Sequence, residues 1–195
     1  IPFSYWIVLV IVLIIAWIST RKVFPRVKGM NWHFFFLGGA FLLIEFKIIT
    51  ELALLFGSTW IVNAIAISAV LIMVLLANLL IAKLRSIKLS MLYVLLFLSL
   101  AIGYLISLNV LLPHGYLTRI IGSTILMGLP LFFASAIFAT SLKQSNEINL
   151  AFSSNFYGSA VGGVFEYSSL IIGIHNLFLV GAMMYLASWL LKSRH

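Results

Sequence analysis

The stretch TWIVNAIAISAVLIMVLLANLLIAKLRSIK, from Thr59 to Lys88, runs uncharged and mostly apolar as far as Ala82 and then places three cations, Lys83, Arg85 and Lys88, close together. An α-helix rises about 1.5 Å per residue, so about 20 apolar residues cover the ~30 Å hydrocarbon core of a bilayer. Thr59 to Ala82 therefore reads as a membrane-crossing helix whose basic end meets a headgroup layer. Six further stretches share this length and character: Phe3 to Ser19, Phe34 to Phe56, Leu89 to Leu112, Tyr116 to Leu142, Ile148 to Ile172 and Ile174 to Leu191. Strands of a membrane barrel would instead show segments of about ten residues alternating apolar and polar. The expected fold is all-α, a polytopic transmembrane bundle of about seven helices that forms one domain over residues 1–195.

Composition points the same way. Hydrophobic residues make up 64% of the chain and charged residues 8%, and the mean hydropathy is +1.21. A water-soluble fold would have almost nothing to place on its surface.

The basic residues then orient the chain. Arg21, Lys22, Arg26 and Lys28 follow the first stretch; Lys83, Arg85 and Lys88 follow the third; Lys143 follows the fifth; Lys192 and Arg194 follow the seventh. These gaps all fall on one side of a single threading. The gaps on the other side, Gly57-Ser58, Pro113-His114-Gly115 and Gly173 to Asn176, carry no Lys or Arg. The positive-inside rule places the N-terminus outside and the C-terminus in the cytoplasm. The net charge of +8 is then a membrane-surface feature that suits anionic headgroups, and no nucleic-acid partner is expected. Trp6, Trp17, Trp32, Trp60 and Trp189 sit near stretch ends, where an indole can bury its ring and bond its N–H at headgroup level. The first stretch has no basic segment before it and no small-residue cleavage site after it, so it reads as a span rather than a signal. A start at Ile1 rather than Met suggests a piece of something longer.

Three of the four acidic residues, Glu45, Glu51 and Glu166, fall inside these stretches. A charge at the bilayer centre costs at least about 2.5 kcal/mol on insertion, so such groups face protein and pair. Lys47 and Glu51 are four apart on one helix face and able to pair, while Glu45 points elsewhere and needs another partner. Glu51 and Glu166 each lie roughly 9 Å outward of their helix midpoints, and Arg119 starts the fifth stretch at the same level. The expectation is an intramembrane polar cluster of Glu45, Lys47, Glu51, Arg119 and Glu166. Such a cluster either fixes helix register or forms a relay or a site for an anionic group.

Ser154, Gly158 and Gly162 recur at four-residue steps, with Ser159 and Gly163 as a second register. Small residues at this spacing let helix backbones approach closely in lipid, and Gly38-Gly39 is the expected opposing surface. Pro130 is expected to kink the fifth stretch. His33, His114, His175 and His195 all lie at stretch ends or in turns, away from the mid-span positions natural for tetrapyrrole ligation. Without Cys or Asp, no thiolate metal site and no Ser-His-Asp set is available. No catalytic residue, metal or cofactor is expected, and bound lipid or carotenoid is the only small-molecule company foreseen.

Three blocks carry a resemblance: HFFFLGGAFLLIEFKIITELALLFGSTWIVNA from His33 to Ala64, LPLFFASAIFATSL from Leu129 to Leu142, and NFYGSAVGGVFEYSSLIIG from Asn155 to Gly173. Together, and in this order, they resemble the membrane region of large bacterial spermidine-synthase-like proteins. The resemblance implies an aminopropyltransferase- or methyltransferase-like domain ahead of the helices and a place in the bacterial cytoplasmic membrane. The glycine-rich nucleotide loop and acidic polyamine-binding residues of such a domain have no positions in this sequence. A domain ahead of Ile1 would also lie outside the cytoplasm, so either it has lost its original chemistry or the orientation is the reverse.

Three functions are open to the chain at this point. The first is a non-catalytic module that anchors or scaffolds an upstream domain or a larger membrane complex. The second is a transporter-like or membrane-enzyme module built around the polar cluster. The third is an accessory subunit of a respiratory or photosynthetic assembly. Membrane lipids are partners in all three, with other membrane subunits or an upstream domain of the same chain.

Overall fold

Long apolar runs broken by short polar gaps leave the backbone one economical way to satisfy its own N–H and C=O groups, which is helix. A computed structural model describes residues 3–23, 29–57, 59–84, 87–106, 108–111, 113 and 115–192. Among these the regular structure is all helical, with α1 (Phe3–Val23), α2 (Trp32–Phe56), α3 (Trp60–Lys83), α4 (Leu89–Leu105), α5 (Tyr116–Lys143), α6 (Ile148–Phe165), the short α7 (Ser169–Ile172) and α8 (Leu177–Leu190). Arg26, Lys28, Ser58, Arg85, His114, Arg194 and His195 lie outside the described residues, as does the side chain of Trp6. Two stretches, Asn63–Lys83 in α3 and Thr118–Lys143 in α5, are long and apolar enough to cross a membrane by length and composition. Helices α4 and α8 are also apolar but shorter.

Helices α2, α3 and α5 begin and end within two residues of the expected spans. Three spans differ. The stretch from Leu89 to Leu112 is not one helix: α4 stops at Leu105, Ile106 is extended, and Leu108–Leu111 forms a 3-10 turn that packs on α5. Leaving the helix lets Leu108 bury to 8% exposure, and Gly103 weakens the last turn. The stretch from Ile148 to Ile172 is divided, because α6 tightens into a 3-10 turn at Glu166–Ser168 before α7. Gly173, at φ 83, ends that segment as a left-handed glycine commonly does, and α8 begins only at Leu177.

The chain forms two compact units, one of residues Ile1–Leu43 and Ser145–His195, the other of Ile44–Gln144. In the second unit α3 and α4 both pack on α5. Helix α4 turns Leu92, Tyr93, Leu96, Ser99, Leu100 and Gly103 inward. Helix α5 buries Met127, Leu131, Ala134 and Ile137 and continues through the buried Pro130. Helix α3 contributes only a narrow stripe, Ala66, Val70, Ala77 and Ile81, with Met73 against Gly128 of α5.

The rest of α3 is the informative part. Leu71, Ile72, Leu75, Leu76, Leu79 and Leu80 are all exposed, and only 22% of its apolar stretch is buried, against 50% for α5. A helix that is apolar all round but buried on one stripe has no face made for water.

In the first unit α1 packs on α6, with Trp17 edge-on to Tyr157 at 5.7 Å. The rest of α1 exposes Ile7, Val8, Ile11, Val12, Ile14 and Ile15.

Candidate functional site

In the second unit, Lys47 lies one helical turn before Glu51 on α2, and its Nζ reaches Glu51 Oε1 at 2.5 Å. The Lys47 side chain is fully enclosed, whereas that of Glu51 is 20% exposed. The ammonium is thus the group most dependent on the pair. Glu45, also on α2, is half-buried and makes no ion pair or hydrogen bond among the described residues.

Arg119 has a different role from the one its charge suggests. Its Nη2 donates to the carbonyl of Leu55 at 3.0 Å, and its guanidinium carbon sits 5.5 Å from the Phe56 ring centroid. The last four carbonyls of a helix have no partner inside it and carry the negative end of the helix dipole. Arg119, in the first turn of α5, therefore caps the C-terminus of α2. Its buried Nε has no partner among the described residues.

The other end of α5 repeats the device. Lys143 Nζ donates to the carbonyl of Ile81 in the last turn of α3. Between these two cations α5 carries no charge, and their separation of 24 residues spans about 36 Å of helix. That is close to a hydrocarbon core plus its margins.

Hydroxyls inside the helices are satisfied locally. Thr50 donates to Phe46, Thr140 to Ala136, Ser99 to Leu96 and Ser123 to Ile120. Each bonds its own helix three or four residues back, which requires neither water nor a partner helix.

In the first unit the small residues form a seam between α2 and α6. A Cβ placed on Gly158 would fall on the Phe35 carbonyl, one on Gly162 on the backbone of Gly39, and one on Gly38 on the Asn155 carbonyl. A Cβ on Gly39 would come within 3.0 Å of the Gly158 carbonyl, and one on Gly163 within 3.2 Å of Leu42. Polar bonds fix the register. Ser154 Oγ accepts the N–H of Asn31 at 2.8 Å, and Asn155 Nδ2 donates to the Phe34 carbonyl at 3.3 Å. Asn31, one residue before α2, also accepts from the Phe34 N–H at 3.4 Å, as a helix cap does.

His33 is buried at the start of α2. Its Nδ1 lies 2.9 Å from the Ser188 carbonyl oxygen, and Ser188 Oγ donates to the His33 carbonyl at 2.9 Å. This ties α8 to α2.

Of the expected polar cluster, then, Lys47 and Glu51 meet, and Arg119 turns to a backbone carbonyl. Glu166 belongs to the first unit, half-buried at the tightened turn after α6. Asn31, Asn155, Ser188 and the capping role of Lys143 were not anticipated. The signal for Lys143 was available, since a cation just past a long span is well placed to cap a neighbouring helix end. No protein-family model, curated protein or solved structure matches the chain.

Proposed function

We propose that the chain is a polytopic integral-membrane module without catalytic residues of its own. It holds its N-terminus outside and its C-terminus in the cytoplasm, and serves to anchor or scaffold an attached domain or neighbouring membrane subunits. The observation that carries this reading is α3, whose large apolar side chains are exposed on every side but one stripe. Lipid removes the cost of that surface; water does not.

The disposition of charge favours a scaffold over a transporter. Lys47 is closed against Glu51, while Arg119 and Lys143 are committed to helix ends. A transporter needs polar groups facing a wetted path, and these three cations face helix partners instead. The resemblance of the three blocks to spermidine-synthase-like membrane proteins supports a bacterial cytoplasmic membrane and an upstream domain as the thing anchored.

A thiol introduced by Ile48→Cys, beside Lys47 and 1% exposed, separates the two functions. In a scaffold it stays unreactive toward a water-soluble methanethiosulfonate in native membranes. Rapid modification would reveal a wetted path and favour transport.

A further inference from the structure

We infer that the first unit holds a site for the phosphate group of an anionic phospholipid, in a cavity of about 320 Å³ between α1, α6 and the start of α2. Trp17, Thr20 and Arg21 of α1, Trp32 of α2, and Ser154 and Tyr157 of α6 line it. The volume is at the lower end of small-ligand pockets. The chemistry of the wall is one-sided. Arg21 brings a cation, its guanidinium carbon held 4.5 Å over the Trp17 ring, and Trp17 in turn rests edge-on against Tyr157. Stacking of this kind fixes a guanidinium in place while leaving its edge N–H groups free to bond an anion.

Ser154 Oγ is buried and accepts the Asn31 N–H, so its own proton remains available to donate. The Tyr157 hydroxyl is a further donor. Among the described residues no Asp or Glu lines the cavity. A wall with a cation and hydroxyl donors but no carboxylate selects an anion, and a phosphate diester offers acceptors to all of them. The three aromatic rings supply the second half of the match, an apolar surface for the glycerol and upper acyl chain. This inference rests on the membrane reading, which puts the Trp17–Arg21 end of α1 at the cytoplasmic headgroup layer, where anionic lipids are enriched.

Lipid titrations of the detergent-purified protein, followed by native mass spectrometry, test it with phosphatidylglycerol, phosphatidylcholine and inorganic phosphate as probes. Phosphatidylglycerol should bind at least tenfold more tightly than phosphatidylcholine. Arg21→Gln should abolish that preference, while Lys22→Gln, which removes the same charge from the neighbouring position, should keep it. Equal losses in the two variants would reduce the effect to diffuse surface charge and overturn the site. Equal binding of the two lipids would also overturn it, as would inorganic phosphate displacing phosphatidylglycerol at matching concentration. Should Arg21→Gln fail to fold, quenching of the wild-type tryptophans by brominated phosphatidylglycerol replaces it. That quenching should fall in the double variant Trp17→Phe/Trp32→Phe, and unchanged quenching would refute the site. Release of the chain from membranes at high pH would instead refute the membrane reading itself.

Discussion

Arg119 of α5 donates to the carbonyl of Leu55 of α2 at 3.0 Å, so a residue that counts as a charge in the sequence works as a helix cap in the fold. Truncating it removes a charged hydrogen bond and exposes unpaired carbonyls at the α2 terminus. Arg119→Ala should destabilise the protein by about 1.5–3 kcal/mol, read as a lower unfolding temperature in detergent. Arg119→Lys, which keeps a donor and the charge, should recover part of the loss. Equal unfolding temperatures for wild type and Arg119→Ala would remove the cap from the account.

The glycine seam makes a graded prediction. Gly162→Ala sets a methyl on the backbone of Gly39, which cannot yield without separating α2 from α6; overpacking of this kind costs about 1–3 kcal/mol. Gly128→Ala meets only the flexible side chain of Met73, at 3.0 Å, and should cost less. Gly115→Ala meets nothing within 4 Å among the described residues and should cost least. Thermal denaturation of the three variants in one detergent would show this order, and a Gly162→Ala variant as stable as Gly115→Ala would contradict it.

For Lys47 and Glu51 the difference in exposure sets the sign. Glu51→Gln leaves a fully enclosed ammonium without its carboxylate, whereas Lys47→Met leaves a carboxylate that is 20% exposed. Breaking a buried pair from one side costs about 3–5 kcal/mol, while replacing both members can be close to neutral. Glu51→Gln should therefore be the more damaging single change, and Lys47→Met/Glu51→Gln should be more stable than Glu51→Gln alone. Additive losses in this double-mutant cycle would mean that the two side chains are not coupled.

Much of this architecture is written into local sequence. Helices α2, α3 and α5 are legible because unbroken apolar runs of bilayer length have no competing structure, and polar gaps mark their ends. The four-residue steps from Ser154 to Gly162 are legible as a close-packing face because only small residues permit backbone contact. What the sequence conceals depends on tertiary partners. Gly103 is a local hint of the early end of α4, but the burial of Leu108 in the 3-10 turn that packs on α5 is not announced by any local propensity. Arg119 reads as the partner of a carboxylate because side-chain charges can be counted along a sequence, whereas unsatisfied carbonyls at a helix end cannot be matched to a donor 64 residues away. Asn155 is hidden for the same reason: its partner is the backbone of Phe34.

The proposed topology has the chain crossing a bilayer with the Gly115 turn outside and the turn after Lys143 in the cytoplasm. Because the chain has no cysteine, single thiols report without background. Gly115→Cys and Asn146→Cys both fall at exposed positions between helices and leave every basic residue in place. In intact cells a membrane-impermeant maleimide should label Gly115→Cys at once and Asn146→Cys only after the membrane is opened. Labelling of Asn146→Cys in intact cells with Gly115→Cys protected would reverse the orientation, and equal labelling of both would contradict the claim that α5 crosses the membrane between them.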